Sequence, residues 1–345
     1  MNTLPKNPKV VYGLRKRVAG FTLVELMVAM VLGLLVSGSA VGIFISNRQA
    51  NIATDSLSRI QENARMAFEL MARDVREAGG NPCSRNTPPA SVLNGAAGTW
   101  WQSFNNPLFG YESNQAFPDA GFGTGNGQRQ NGVGDAIEIK SAASGGVTVV
   151  SHNPVAASMQ LNTINHGLSP GDIAMVCDNK RSAIFQVSNS SPDINNTIVH
   201  NSGGAVAPGN CRNLLGAPCT APAASAIYQF QGNGVIARLR AERWFVGNNP
   251  RGGSSLYAGV VRNTGGVVSV VNEEIVEGVI NMQLTYLVAG AADYANANAI
   301  AANAWNTVLA VRITLTMQGL EAVGTDGNAL TRNLSHVVAL RNRMS

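Results

Sequence analysis

The sequence predicts an α+β protein in which one long N-terminal helix packs on an antiparallel β-sheet-rich globular domain with long loops. Three observations predict it. Leu26 to Ile45 contains no charged residue, about the length a helix needs to cross hydrocarbon. Beyond it an amphipathic pattern continues without proline until Pro82, in the 3.6-residue period of a helix with one buried face. From Asp135 onward, short alternating runs are broken by Gly, Pro, Asn and Asp, the pattern of strands with one dry and one wet face.

The helix is expected over 21–79, roughly 85 Å at 1.5 Å per residue, with 21–45 as its membrane-spanning half, whose surface lipid or copies of the same helix would cover, and 46–79 as its amphipathic half. In the second half Ala53, Leu57, Ile60, Ala64, Ala67, Phe68, Met71, Val75 and Ala78 recur at steps of three or four, while Arg48, Asp55, Arg59, Glu62, Arg65, Glu69, Arg73, Asp74 and Glu77 take other faces. Gly79-Gly80-Asn81-Pro82 supplies the stop. Gly33, Gly38 and Gly42 permit close helix packing.

The chain has 345 residues, 45% hydrophobic and 13% charged, enough apolar matter for one elaborated domain of 80–345 after the helix. Its net charge of +5 would by itself suggest a polyanion partner. Yet Lys6, Lys9, Arg15, Lys16 and Arg17 all precede Gly20, and without these five the chain holds 20 basic and 20 acidic residues. Nucleic-acid binding is therefore not expected.

The basic cluster before the apolar run predicts a cytoplasmic N-terminus with the bulk of the chain outside. A secretory signal would place its small-residue cleavage site after a shorter apolar core; here Gly20 comes before it. Glu25 does not suit a plain anchor, because a lone carboxylate at the head of an apolar segment needs a partner. A cut after Gly20 would expose an amine on Phe21, within reach in the same helix or from a neighbouring one. The plainer alternative sets Glu25 at headgroup depth.

Gly20-Phe21-Thr22-Leu23-Val24-Glu25-Leu26, behind a basic leader, resembles the type III signal of type IV prepilins. The resemblance implies a pilin-like fold and a leader 1–20 removed by a prepilin peptidase between Gly20 and Phe21. It also implies N-methylation of Phe21, and pairing of Glu25 with a neighbouring subunit's amine to set assembly registry.

Residues 82 to 134 show weak periodicity but many aromatics (Trp100, Trp101, Phe104, Phe109, Tyr111, Phe117, Phe122), expected to form a small core cluster under a long loop. Gly123-Thr124-Gly125-Asn126-Gly127 lacks the preceding strand and following helix of a nucleotide loop and reads as a flexible loop. Strands are expected at 136–140, 147–151, 173–177, 183–187, 197–200, 227–230, 238–246, 255–262, 273–286, 307–318 and 334–340.

Cys83, Cys177, Cys211 and Cys219 form an even set behind a membrane-targeting N-terminus, which suits disulfides. Three pairings are possible. The short loop from Cys211 to Cys219, with Gly216 and Pro218, favours that pair and leaves Cys83 with Cys177. No C-x-x-C occurs, so zinc is not expected.

Cys177-Asp178 with Ala183 to Val187, Glu274 to Val279, Met282 to Tyr286, Ala310 to Leu315 and Val338 to Asn342 resemble, in order, the PilW family of minor pilins. That resemblance implies a role in type IV pilus assembly, initiating or capping the filament. The implied partners are other minor and major pilins, the prepilin peptidase, the inner-membrane assembly platform and inner-membrane lipid. The implied location is a single-pass inner-membrane protein with a periplasmic C-terminal domain, later part of the filament. A pseudopilin of type II secretion, or a membrane-anchored periplasmic adhesin or enzyme, are the alternatives.

Searching for chemistry yields no catalytic residues, metal or cofactor. His152, His166, His200 and His336 show no H-x-x-x-H spacing and read as isolated surface or strand positions. Glu273-Glu274 would face opposite ways in a strand. No enzyme is predicted.

Overall fold

The computed structural model describes residues 20–83, 89–95, 99–324 and 326–343; the basic leader up to residue 19 lies outside them. Helix α1 runs from Leu23 to Glu77. In chain order the strands are β1 (Ala90–Ser91), β2 (Leu108–Tyr111), β3 (Ala136–Ala143), β4 (Val149–Asn153), β5 (Ser158–Leu161), β6 (Ile173–Cys177), β7 (Ser182–Gln186), β8 (Asn189–Ser190), β9 (Thr197–Val199), β10 (Val235–Asn248), β11 (Ser254–Thr264), β12 (Val267–Glu277), β13 (Val279–Val288), β14 (Val308–Gln318) and β15 (Thr331–Ala339).

The chain divides into two compact units, 1–54 and 55–345. Within the first, every described residue from Gly20 to Asn51 is exposed, and the apolar stretch of α1 is long and greasy enough to cross a membrane. The second begins inside α1. There Ile60, Ala64, Ala67, Met71, Ala72, Val75 and Ala78 are buried against Trp244, Val246, Leu256, Met282, Leu315 and their neighbours. The expected apolar stripe is thus the face that docks, with small alanines letting the helix lie close to the sheet.

Three sheets follow. The largest has the order β1-β7-β6-β10-β11-β12, with β3 also on β10 and β2 on β3. Strand β10 is its hub: β6 and β11 share one of its edges at different heights, and β3 pairs along 238–245. A three-stranded sheet is β13-β14-β15 and a four-stranded one is β4-β5-β9-β8. Between these strands every pairing is antiparallel except the two-residue β1–β7 contact; an isolated parallel bridge also joins Ala207 to Val267 at the start of β12.

The run expected as one strand over 273–286 is two. Gly278 breaks it with φ +83°, a backbone that favours glycine; a Cβ there would sit 2.6 Å from the Gln318 carbonyl. The chain passes at this point from the large sheet to the three-stranded one. The strand expected over 227–230 is also absent: Phe230 N–H donates to His152 Nδ1 at 3.0 Å and not to a strand. Strands β1, β2, β5 and β8 were not expected, being too short for alternation to show.

The aromatic segment is core, as expected for Trp101, Phe104, Tyr111 and Phe117, all buried. Gly110 on β2 marks its tightest point. A Cβ there would meet the Tyr286 hydroxyl and lie 2.9 Å from Trp305 Cη2, two side chains that are themselves fully buried in an edge-to-face pair. Gly110→Ala is expected to lower unfolding free energy by about 1–3 kcal/mol, read as a drop in the denaturant midpoint. The Gly123–Gly127 segment is not a free loop: Gly123 N–H donates to the Arg129 carbonyl and Gly127 N–H to the Asn248 carbonyl.

Candidate assembly surfaces

At the head of α1, Thr22 and Glu25 cap each other. Glu25 N–H donates to Thr22 Oγ1 at 3.3 Å, and Thr22 N–H donates back to Glu25 Oε2 at 3.0 Å. The Thr22 hydroxyl donates to the same Oε2 at 3.1 Å. This is a capping box, T-x-x-E, satisfying two N–H groups left open by the first helical turn. The signal was legible in Thr22-Leu23-Val24-Glu25 but sequence reasoning did not use it. Gly20 and Phe21 are exposed just before this turn. Apart from the local helix backbone, no atom lies within 4 Å of where a Cβ would sit on Gly33, Gly38 or Gly42, so no packing contact among the described residues requires glycine there.

Within the second unit, a groove of about 610 Å³ runs between α1 and β15, lined by Ala64, Phe68, Ala72 and Leu334 with Arg65, Glu69, Arg76 and His336 at its borders. Phe68 and His336 rings stand 5.6 Å apart across it. On the other flank of α1, a cleft of about 520 Å³ opens over β10, β11 and β12. Each of its arginines on the sheet is already paired: Arg238 with Asp172, Arg240 with Glu242, Arg262 with Glu273. On the helix side Arg73 also borders the cleft, 3.4 Å from Asp74.

The Glu273-Glu274 pair does split. Glu273 pairs with Arg262 at 2.7 Å, while Glu274 pairs with Arg251 and accepts from Ser255 Oγ at 2.7 Å. A register shift in the β11–β12 pairing lies beside them.

Where α1 meets β10, Asp74 is buried, with Oδ2 accepting from Trp244 Nε1 at 3.0 Å. Burial, reinforced by a hydrogen bond and repulsion from Glu242, pushes the Asp74 carboxyl up to about 8. Glu242 moves down despite its own burial, because Asp74 hydrogen-bonds it and Arg240 sits beside it. One proton thus stays on Asp74 at neutral pH. Its folded value lies above the unfolded one, so the folded state holds an extra proton between about pH 4 and 8 and loses stability as pH rises through that window. The denaturant midpoint is expected to fall between pH 6.5 and 8.5 by the equivalent of roughly 1–2 kcal/mol. Asp74→Asn, which keeps an acceptor for Trp244, should flatten that decline.

A buried ionic cluster anchors the aromatic segment to the sheet. Arg243 donates to Glu138 Oε1 through Nη2 at 2.6 Å and Nε at 3.1 Å, and to Asp119 at 2.8 Å. Its guanidinium lies 3.8 Å from the Phe117 ring centroid and 4.6 Å from that of Trp100. Lys140 Nζ donates to the carbonyls of Trp100 and Ser103, and burial pushes it down to about 8. Arg129 gathers the carbonyls of Glu112, Gln115 and Gly134. Sequence reasoning saw the aromatics and missed these charges.

The structure joins Cys83 to Cys177 and Cys211 to Cys219, with Cα separations of 5.6 and 6.0 Å. Among the described residues no cluster of three or more groups could hold a metal. The histidines are not isolated: His152 and His200 are buried and in contact. Their partnership joins residues 48 apart in sequence, a distance at which spacing rules carry no signal.

Residues 243–342 match the family described as type IV pilus-assembly protein W, and residues 15–41 match the prokaryotic N-terminal methylation motif. The first match runs from β10 to the last described residues; the second covers the basic cluster and the start of α1. No curated protein matches the chain. Among solved structures, a type IV-like pilin from Thermus thermophilus aligns with 83% of this chain and 98% of its own, at 10% identity and a TM-score of 0.31, too loose a likeness to assign anything.

Proposed function

We propose that this chain, a type IV pilin-like protein with a prepilin motif at one end and a PilW segment at the other, is a minor pilin that acts by assembly and not by catalysis. The observation that carries the reading is the presence of both segments in one chain, on an apolar helix whose first 30 or so residues the chain leaves uncovered. The leader is cut after Gly20 and Phe21 becomes N-methylated. The protein rests in the inner membrane by its one span, with the domain outside, until the assembly platform extracts it. Lipid contact is then exchanged for contact with neighbouring pilin helices, so little apolar burial is lost. Both Thr22 bonds fall on Glu25 Oε2, which leaves Oε1 for a neighbour's terminal amine. With other minor pilins the domain initiates or caps the fibre.

Intact mass and N-terminal sequencing of membrane-extracted protein test the processing. The expected chain starts at Phe21 and is one methyl group heavier than its sequence. A retained leader in a host with an active prepilin peptidase would overturn the reading. A deletion strain should lose surface pili and keep type II secretion; the reverse would identify a pseudopilin.

A further inference from the structure

His152 lies in β4 and His200 directly follows β9, on opposite sides of β5 in the four-stranded sheet. Both are almost wholly buried, at 2% and 0% exposure, at the margin of a core that this sheet shares with β6 and β7. His152 rests on Phe230 with ring centroids 5.6 Å apart, and His200 on Phe185 at 5.5 Å. Their Nε2 atoms are 3.2 Å apart. A tetrahedral metal would hold two such nitrogens about 3.3 Å apart, so what speaks for a hydrogen bond is the lack of further ligands: among the described residues no third metal-binding group joins the pair.

The protons can be placed one by one. Phe230 N–H donates to His152 Nδ1, so that nitrogen is bare and the His152 proton sits on Nε2. It points at His200 Nε2, which must accept, and the His200 proton is then on Nδ1. Backbone groups of His200 and Asn213 lie near that nitrogen without completing a hydrogen bond. A second proton in the 3.2 Å gap would set two N–H groups against each other in a dry core.

Among the described residues no charged group acts on either imidazole. The side chains facing the pair are Met159 from β5, Phe185 from β7, Phe230 ahead of β10 and Asn210 from the following loop. Beyond Phe230 stand Tyr228, edge-to-face on that ring with the Arg181 guanidinium over it, and Asp178, which accepts from the Tyr228 hydroxyl at 2.7 Å.

We propose that the His152–His200 pair is an acid-sensitive latch: neutral, it closes the core beneath the four-stranded sheet, and because only the opened form takes up protons, mild acid makes opening of β4, β5 and β9 more frequent while the helix-packed core stays folded. Burial holds His152 down to about 4; burial and the neighbouring His152 hold His200 down to about 3. The stability these groups contribute is complete above their unfolded value near 6.5 and is lost as pH falls below it. On the helix side the trend is opposite, because burial raises Asp74 to about 8 and Asp135 to about 6.

Hydrogen exchange of the full chain in detergent micelles at pH 7.5 and 5.0, corrected for intrinsic rates, tests this. Peptides covering 149–161 and 197–200 are expected to lose protection about tenfold or more at pH 5.0, and β14 less than about twofold. A uniform loss, or none, overturns the latch. The double variant His152→Gln, His200→Gln should abolish the local loss; its persistence overturns the proposal. Should that variant fail to fold, carbon-13 histidine spectra of the wild-type chain decide: two of the four imidazoles are expected to stay neutral below pH 5, and midpoints near 6.5 for all four overturn it. Zinc that raises protection over 149–161 at pH 7.5 would replace the latch with a metal site.

Discussion

Glu25→Ala is expected to leave the protein inserted and its leader removed, yet nearly absent from sheared filaments. A carboxylate moved from lipid headgroups into a helix bundle must keep an ionic partner, and breaking a buried pair costs roughly 3–5 kcal/mol, more than a hundredfold in an exchange equilibrium. On this side chain the proposed pairing meets the capping of its own helix through Thr22. Glu25→Gln separates them: the amide oxygen still accepts from Thr22 N–H, but the charge is gone. If charge pairing sets registry, Gln behaves like Ala in filament incorporation, measured by immunoblot of sheared pili against membranes. Wild-type incorporation of the Gln variant would sink the pairing.

Arg243→Ala should be the most damaging single change in the globular unit. It strips the counter-charge from Glu138, which is 3% exposed and otherwise holds only the Tyr111 hydroxyl at 2.9 Å and a neighbouring lysine. It also removes the cation seated on Phe117 and Trp100. The expected loss is about 3–5 kcal/mol in chemical denaturation, since an unpaired charge remains in a dry site. The double variant Arg243→Met, Glu138→Leu should be less destabilised than Arg243→Ala alone. If it is more so, the cluster stabilises by more than mutual neutralisation.

What the sequence showed and hid follows from range. The helix was legible because its period repeats over tens of residues, and its docking face emerged residue by residue from Ile60 to Ala78. Long strands such as β14 were legible because alternation persisted: Val311, Ile313, Leu315 and Met317 are buried. The break at Gly278 was hidden because apolar alternation runs through it, and only the meeting with Gln318 shows why the strand ends. The Glu25 site was legible as an anomaly of charge in grease, whereas its bond to Thr22 needed a local motif that was overlooked. The Arg243–Glu138 and His152–His200 contacts join distant segments, and no local pattern encodes them.

The bridge from Cys83 to Cys177 has a mechanical consequence. It leaves the chain six residues past the end of α1 and enters the last residue of β6, a strand inside the large sheet. In the filament role proposed for this chain, tension drawn along the helix would reach that sheet through a covalent strut. The 94-residue span between the two sulfurs is thereby kept out of the load path, and the aromatic segment within it cannot be paid out like slack rope.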